Sequence, residues 1–440
     1  MDRDRNGGMH ILPTIDRTKR SRRVTMKRLL ANLCLPSAIA LATLVAAPSL
    51  GQERPAPLPL GQPGPDAEQP ALLELRRNLL NKTMMPLMYH HMDSVFHTQE
   101  IARGSRVATL ARAERPLTFT YTFGGVTRPA EEVLERTFTN ALLIMKDGRI
   151  IYERYRNLTG PHSRFLAMSM SKSITSILLG IAVDQGAIKS LDDLATRYVP
   201  ELKGSAYEGV TVRDLVDMTT GVDRSDGDQL KPGGDGPRRR EEMLVRNARP
   251  AVDEAFMIGR KAERGQKFDY STLNTTVLGW VIERATRTPI TEYTSKMLWQ
   301  KLGAEYPAFW MTDGPGPQAR PLTGVGFNAT MRDYARVGQM MLDNGRYNGR
   351  QILSRSWVQQ AIGGPHAPIG ANASTGYHHA WWTVPGQAAY AANGVGGQYI
   401  HIDPATRTVI VKLSYTPVDA REANGEANAF FQAASAWKGD

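Results

Sequence analysis

Two apolar runs, Ala-Leu-Leu-Ile-Met-Lys at 141–146 and Arg-Ile-Ile-Tyr-Glu-Arg-Tyr at 149–155, flank Asp147-Gly148. Each run is short and β-favouring, and a two-residue Asp-Gly spacer suits a hairpin turn, so the pair predicts two antiparallel strands. The period then changes. Ile174, Ile177, Leu178 and Ile181 recur at steps of three and four within 169–185, as a helix with one buried face requires, and Gly186 supplies its stop. Further helices are predicted over 212–218, 272–286 and 332–344. Late strands are predicted over 399–402 and 409–414, joined by a turn at Asp403-Pro404, and a closing helix over 426–437. Strands at both ends of a largely helical middle fit an α+β fold, in which an antiparallel sheet flanked by helices carries a helical subdomain inserted between its first and last strands.

The amino-terminal pattern differs. Nine basic residues, among them Arg22, Arg23, Lys27 and Arg28, precede an uncharged and mostly apolar stretch over 29–50, which ends in small and turn-forming residues at Ala46, Ala47, Pro48, Ser49 and Gly51. This is the build of an export leader over 1–51, with Met26 as an alternative true start, and it predicts a periplasmic or secreted protein. Residues 21–27 (Ser-Arg-Arg-Val-Thr-Met-Lys) are similar to a twin-arginine signal, with a Sec leader as the other reading. A membrane is expected only through an uncleaved leader, since about 20 apolar residues can span a bilayer. Residues 52–74 are rich in Pro and Gly and read as a linker, and 75–440 as one large domain.

Composition narrows the chemistry. The 440 residues are 41% hydrophobic and 22% charged, ordinary for a globular chain. The formal charge is +11, but the leader holds nine of 54 bases and only three of 43 acids, a local balance of +6, so the remainder is mildly cationic. Arg238-Arg239-Arg240 is followed at once by Glu241-Glu242 and reads as a solvated face; no nucleic-acid partner is expected. One cysteine, Cys34 inside the leader, excludes a disulfide framework and any thiolate metal cluster. The nine histidines, including His90-His91, His97 and His378-His379, show no metal-ligand spacing, and neither metal nor cofactor is expected. No G-x-S-x-G occurs, against an α/β-hydrolase elbow.

Three segments could carry catalysis. Ser169-Met-Ser-Lys172 opens a predicted helix, so Lys172 sits one turn above Ser169 on the same face, where its amine can reach the hydroxyl. The bland alternative is a helix-capping serine beside a solvated lysine. A second S-x-x-K, Ser435 to Lys438, has no helix starting at it. Tyr270, in 268–274 (Phe-Asp-Tyr-Ser-Thr-Leu-Asn), precedes another predicted helix and can point from a loop into a cleft, or lie in a plain surface turn. Residues 393–398 (Asn-Gly-Val-Gly-Gly-Gln) let a backbone edge approach a ligand and present N–H groups, or form a bare hairpin.

In order and spacing these segments resemble the serine β-lactamase and penicillin-binding-protein superfamily, in the branch of class C β-lactamases, esterases and 6-aminohexanoate-dimer hydrolases. Similar text recurs at 210–221, 329–338, 348–353 and 377–382, and the likeness spans residues 75 to 437; Gly397-Gln398 and 409–414 are most like the oligomer hydrolases. The resemblance implies Ser169 as nucleophile, Lys172 as its base, Tyr270 as proton relay, and the backbone N–H groups of Ser169 and Val395 as oxyanion hole. It also implies substrate contacts from Asn274, Gly394 and Gly396, an acyl-enzyme and no cofactor; Trp381 and Trp382 either line the substrate pocket or lie buried in the core. The implied substrate is a small carboxylic ester or linear amide.

Two departures bear on substrate. Where penicillin-recognising members read K-T-G, this chain reads Ala392-Asn393-Gly394, against β-lactamase and D-alanyl-peptidase activity. Oligomer hydrolases offer a Tyr to the scissile amide from the region after Gly221; none stands between Val222 and Phe256, which favours esters, whose leaving group depends less on protonation. A catalytically silent relative that binds a cell-wall fragment or a partner protein is the rival reading.

Overall fold

The computed structural model describes residues 68–227, 235–363, 375–383 and 386–438, and the backbone of 367–368. The predicted leader, and the linker as far as residue 67, lie outside the described residues. The linker expectation is corrected at its end: Pro70–Arg77 is a helix. Proline is tolerated at a helix start because its missing N–H would have no intrahelical partner there. The helix is docked by the fully buried Arg76, which donates to the carbonyls of Val95 and Val245 at 2.7 and 3.0 Å.

The predicted hairpin is the heart of the sheet. Strands Thr139–Lys146 and Arg149–Tyr155 pair antiparallel across Asp147 (φ 47°) and Gly148 (φ 75°), the doubly left-handed turn that a tight hairpin demands. Among the described residues the main sheet has nine strands. Spatially it runs Ala367–Pro368, Gly376–His378, Trp381–Thr383, Tyr390–Gly394, Gln398–Asp403, Thr408–Ser414, Thr139–Lys146, Arg149–Tyr155, Ala111–Arg112. All neighbours are antiparallel except the last pair. The carboxy-terminal strands thus return to lie beside the first hairpin.

The central strands Thr139–Lys146 and Thr408–Ser414 are buried almost throughout because both faces are covered. Along Thr139–Lys146, Leu142 and Ile144 turn toward Phe430 and Phe431 of the terminal helix Arg421–Ala436, whereas Leu143 and Met145 turn into the larger core on the other side. That core holds the helices Met170–Asp184, Thr272–Thr286 and Met331–Leu342, which the sequence lays between the first hairpin and the returning strands. A second sheet joins three strands of this insertion, Ala308–Met311, Phe327–Thr330 and Arg164–Leu166, to Thr98–Ile101 from before the hairpin, in the order Thr98–Ile101, Ala308–Met311, Phe327–Thr330, Arg164–Leu166. Its last-named strand leads straight into the helix that begins after Ser169. Among the described residues no helix is long and apolar enough to cross a membrane.

Contact between helix and sheet is close at Gly338, where a Cβ would stand 2.5 Å from Val409 Cγ1 and 3.0 Å from Ile400 Cγ2. Helix propensity alone favours Ala over Gly by about 1 kcal/mol. Because both neighbours are β-branched and fully buried, Gly338→Ala is expected to reverse that sign and destabilise by about 1–3 kcal/mol. Denaturant unfolding checks this, and a stabilised variant would contradict the packing.

Candidate active site

The strand Arg164–Leu166 turns into the helix Met170–Asp184 through Met168, a non-glycine residue held at φ 47°. Ser169 follows at the helix N-cap, but its side chain makes no capping hydrogen bond, so the hydroxyl is free for other work. Lys172, one turn on, is only 1% exposed. Both observations remove the bland alternative of a capping serine beside a solvated lysine.

Lys172 Nζ lies 3.0 Å from Ser169 Oγ, 2.9 Å from Thr272 Oγ1 and 3.0 Å from the Gly324 carbonyl. Proton bookkeeping makes this arrangement directional. Thr272 donates its own hydroxyl hydrogen to Asp226 Oδ2 at 2.6 Å, so toward Lys172 it can only accept, and the Gly324 carbonyl can only accept as well. A neutral amine has two hydrogens and one lone pair. Its hydrogens go to Thr272 and Gly324, and its lone pair is left facing Ser169. Burial pushes the Lys172 amine down to about 8, against the pull of Asp226 at 4.0 Å, and the nearby Arg224 cation acts in the same direction as burial. With a value near 8, about a tenth of the amine is neutral at pH 7.

Asp226 is the hinge of this network. Its Oδ1 accepts from the Thr272 N–H at 2.8 Å and its backbone N–H donates to the Tyr270 carbonyl at 2.9 Å, so it fixes the start of the Thr272–Thr286 helix. Burial alone would raise its carboxyl, but the charges of Lys172 and Arg224 hold it below the usual range. Arg224 is hydrogen-bonded to Asp226 and reaches Glu254 at 3.3 Å.

Tyr270 completes the group. Its phenol is close enough to feel the Ser169 side chain, and its ring lies 4.8 Å from Lys172 Nζ. Burial raises the phenol well above its ordinary value, so it stays protonated where Lys172 titrates. Tyr377 and Trp382 hold the ring at centroid separations of 5.8 and 5.6 Å.

The glycine-rich segment forms the turn between Tyr390–Gly394 and Gln398–Asp403. A Cβ on Gly394 would stand 2.3 Å from the Ala167 carbonyl, so glycine is what lets this strand end press against the residues leading to Ser169. Gly396 (φ 83°) packs on the Tyr89 ring. Val395, 47% exposed, lines the same cavity as Ser169. The N–H groups of Ser169 and Val395 donate to no protein acceptor among the described residues, as an oxyanion site requires.

A cavity of about 280 Å³ opens beside Ser169. Its walls are mostly apolar, with Leu80, Met243, Leu244, Leu322 and Val325 among them, and Asp226 and Thr272 lie on its lining.

Three sequence expectations are corrected here. Asn274 is fully buried and accepts from Tyr207 Oη at 2.8 Å and Thr220 Oγ1 at 3.1 Å, a structural tie. Positions two apart on a helix point away from one another, so with Thr272 at the site Asn274 faces elsewhere. Trp381 is fully buried against Tyr390, because adjacent strand residues take opposite faces; only Trp382 stands next to Tyr270. The arginine triplet is not one solvated face. Arg238 is exposed and pairs with Asp235 and Glu242, but Arg239 and Arg240 line the cavity, since successive residues on the helix Asp235–Arg240 point about 100° apart.

Asp226, Thr272, Arg224 and the Gly324 carbonyl escaped the sequence reading. Asp226 stands in an Asp-, Gly- and Arg-rich stretch where spacing singles out none of them. Asp217, His378 and His379 also converge, with His379 Nδ1 2.9 Å from Asp217 Oδ1. The two imidazoles stack at 4.0 Å and 16°, so their in-plane lone pairs run in near-parallel sheets and do not meet at one ion. This group braces the turn carrying Trp382.

Residues 130–434 match the beta-lactamase family. The chain belongs to the beta-lactamase family. It is 33% identical over 299 residues to a 6-aminohexanoate-dimer hydrolase of Paenarthrobacter ureafaciens, covering 65% of this chain and 75% of that relative. A solved Bacillus anthracis structure, provisionally named a 6-aminohexanoate-dimer hydrolase, superposes with a TM-score of 0.73 at 26% identity, over 82% of this chain and 96% of that one. A penicillin-binding protein from Bacillus halodurans shares the fold, with a TM-score of 0.55 at 16% identity over 69% and 100% of the two chains. The chain is thus a beta-lactamase-family hydrolase related to 6-aminohexanoate-dimer hydrolase.

The Lys172 environment sets a pH dependence for any reaction that uses Ser169. Where Lys172 serves as the base, the deprotonated amine is the active form, and kcat/KM on a neutral ester is expected to rise through a limb near pH 8. Asp226 favours the cation, so Asp226→Asn is expected to move that limb to lower pH. An unmoved limb in a folded variant would exclude Lys172 as the titrating group.

Proposed function

We propose that this protein hydrolyses small carboxylic esters or linear amides through an acyl-enzyme on Ser169. The observation that carries the reading is the buried Lys172 amine 3.0 Å from the Ser169 hydroxyl. As Ser169 Oγ attacks the substrate carbonyl, its proton passes to Lys172 Nζ and the carbonyl oxygen becomes an oxyanion held by the N–H groups of Ser169 and Val395. The Tyr270 phenol gives its proton to the departing oxygen or nitrogen and recovers one from Lys172. Water then attacks the acyl carbon with the same groups acting in reverse, so acid and alcohol or amine leave and Ser169 regains its proton.

Esters are the favoured class. Protonating an amide nitrogen is the harder step, and the stretch 222–256 carries no tyrosine that could assist Tyr270. The position that penicillin-recognising relatives fill with lysine is Ala392, fully buried in the core, so nothing at that point can meet a β-lactam carboxylate. Family membership and the 6-aminohexanoate-dimer hydrolase relative support the linear substrate class. An exported setting, read from the amino-terminal pattern, is part of this proposal.

A fluorophosphonate probe is expected to label the wild type and not Ser169→Ala, whereas a folded but unlabelled wild type would favour the silent-binder reading. Lys172→Ala and Tyr270→Phe should each lower kcat/KM by about 10²–10⁴. In a panel of p-nitrophenyl acetate and butyrate, 6-aminohexanoate dimer and nitrocefin, ester turnover is expected to exceed the others; nitrocefin turnover above ester turnover would overturn the ranking.

A further inference from the structure

The turn that carries Val395 has little of its own to hold it in one shape. Gly396 and Gly397 stand at φ 83° and 78°. Nothing larger fits at either place: a Cβ on Gly396 would lie 2.8 Å from the Tyr89 ring, and one on Gly397 2.5 Å from Thr416 Oγ1. Glycine loses more conformational freedom on ordering than any other residue, so two in succession leave a turn that needs ties from outside itself.

Gln398 supplies them. Its side chain is buried, and its amide is spent on backbone groups. Nε2 donates to the Gly396 carbonyl at 2.9 Å and to the Ser414 carbonyl at 2.6 Å, and Oε1 accepts from the Ser414 N–H at 3.3 Å. The backbone ladder between Gln398–Asp403 and Thr408–Ser414 begins at Tyr399 opposite Lys412, so beyond that pair the Gln398 amide takes the place of another rung. The Thr416 N–H also donates to the Gly396 carbonyl, at 3.0 Å. Ser414 and Thr416 are anchored in turn. The fully buried Lys412 donates to Ser414 Oγ and, at 3.0 Å, to the Thr137 carbonyl, which also accepts from Thr416 Oγ1 at 3.3 Å. On the other side of Val395, Gly394 stands opposite Gln398 in the ladder and against the Ala167 carbonyl. Val395 is thereby held between two fixed neighbours.

We propose that Gln398 is a positioning residue for the oxyanion hole: by holding the Gly396 carbonyl it aims the Val395 N–H at the reacting carbonyl oxygen. This rests on the acyl-enzyme reading above and adds to it a residue that never touches substrate. An oxyanion donor is effective because it is already in place when charge develops, at hydrogen-bond distance from where the anion will stand. A primary amide is what the position requires. Two N–H hydrogens meet two carbonyls, whereas a carboxylate would face them with oxygen alone and a methionine would leave both unpaired.

The test uses two esters that differ only in the atom the hole must hold: p-nitrophenyl acetate and its thiono analogue, in which C=S replaces C=O. Sulfur is larger and a poorer hydrogen-bond acceptor, so a well-aimed hole favours the oxo ester, while Ser169, Lys172 and Tyr270 serve both alike. kcat/KM is measured on each, per site titrated with a fluorophosphonate. In Gln398→Met the oxo-to-thiono ratio is expected to fall at least about 10-fold below that of the wild type. Gln398→Glu, with at most one donor hydrogen, should fall between the two, and it decides the matter if Gln398→Met does not fold. Gly338→Ala, which crowds Val409 and Ile400 of the same sheet, should keep the ratio, because a merely structural loss acts on both esters. A ratio unchanged in the folded Gln398 variants, one that falls as far in Gly338→Ala, or one near unity in a labelled wild type would overturn the proposal. A wild type that takes no label and hydrolyses neither ester would instead overturn the acyl-enzyme reading beneath it.

Discussion

Lys172 is an amine placed where a charge is expensive, and the site is arranged around that fact. An ammonium group in an apolar interior loses its hydration, so the interior must either neutralise the amine or solvate it with fixed acceptors. This protein does part of each. Three acceptors surround Nζ, and a carboxylate stands 4.0 Å away, far enough that the charged form is supported without being locked in. The amine that results can both take a proton from Ser169 and return it.

The same constraint explains elements that are distant in sequence. Thr272 must be an acceptor toward Lys172, which requires Asp226 to take its hydrogen. Asp226 in turn requires Arg224, and Arg224 requires Glu254. The chain of hydrogen bonds joins the loop after the helix Val212–Val216, the start of the Thr272–Thr286 helix and the turn Ala251–Phe256. Tyr270 is placed by the same loop through its carbonyl, and by the aromatic contacts of Tyr377 and Trp382 from the far edge of the sheet. Three parts of the inserted region and one sheet edge thus meet at a single serine.

Electrostatics then divides the duties. Burial acts in opposite directions on an amine and a phenol: it makes Lys172 easier to deprotonate and Tyr270 harder. The lysine is suited to begin the reaction as base and the tyrosine to deliver a proton to the leaving group. Farther along the cavity, Arg224 and Arg239 are neutralised by internal carboxylates, while Arg240 faces apolar walls with its charge unmatched. The first two are held within the network that maintains the site.

Much of this was legible in the chain. The Asp-Gly hairpin, the period of the Ser169 helix, the 272–286 helix and the late strands are local patterns, set by backbone preference and by which face must be buried; structure moved their ends by a few residues. Ser169, Lys172 and Tyr270 were legible because two of them share a helical turn and the third precedes a helix in a recurring order. What the sequence could not display is which of several equivalent residues turns inward. Trp381 and Trp382, Asn274 and Thr272, and Arg238, Arg239 and Arg240 are near-neighbours of similar chemistry, and only the docking of their strand or helix decides which side chain meets the cavity. Asp226 is the clearest case, since its role arises from contacts with Lys172, 54 residues earlier, and Thr272, 46 residues later. Local pattern determined the elements and the candidate trio; tertiary packing decided the hydrogen-bond network around Lys172, because that network depends on distances between segments that the sequence keeps apart.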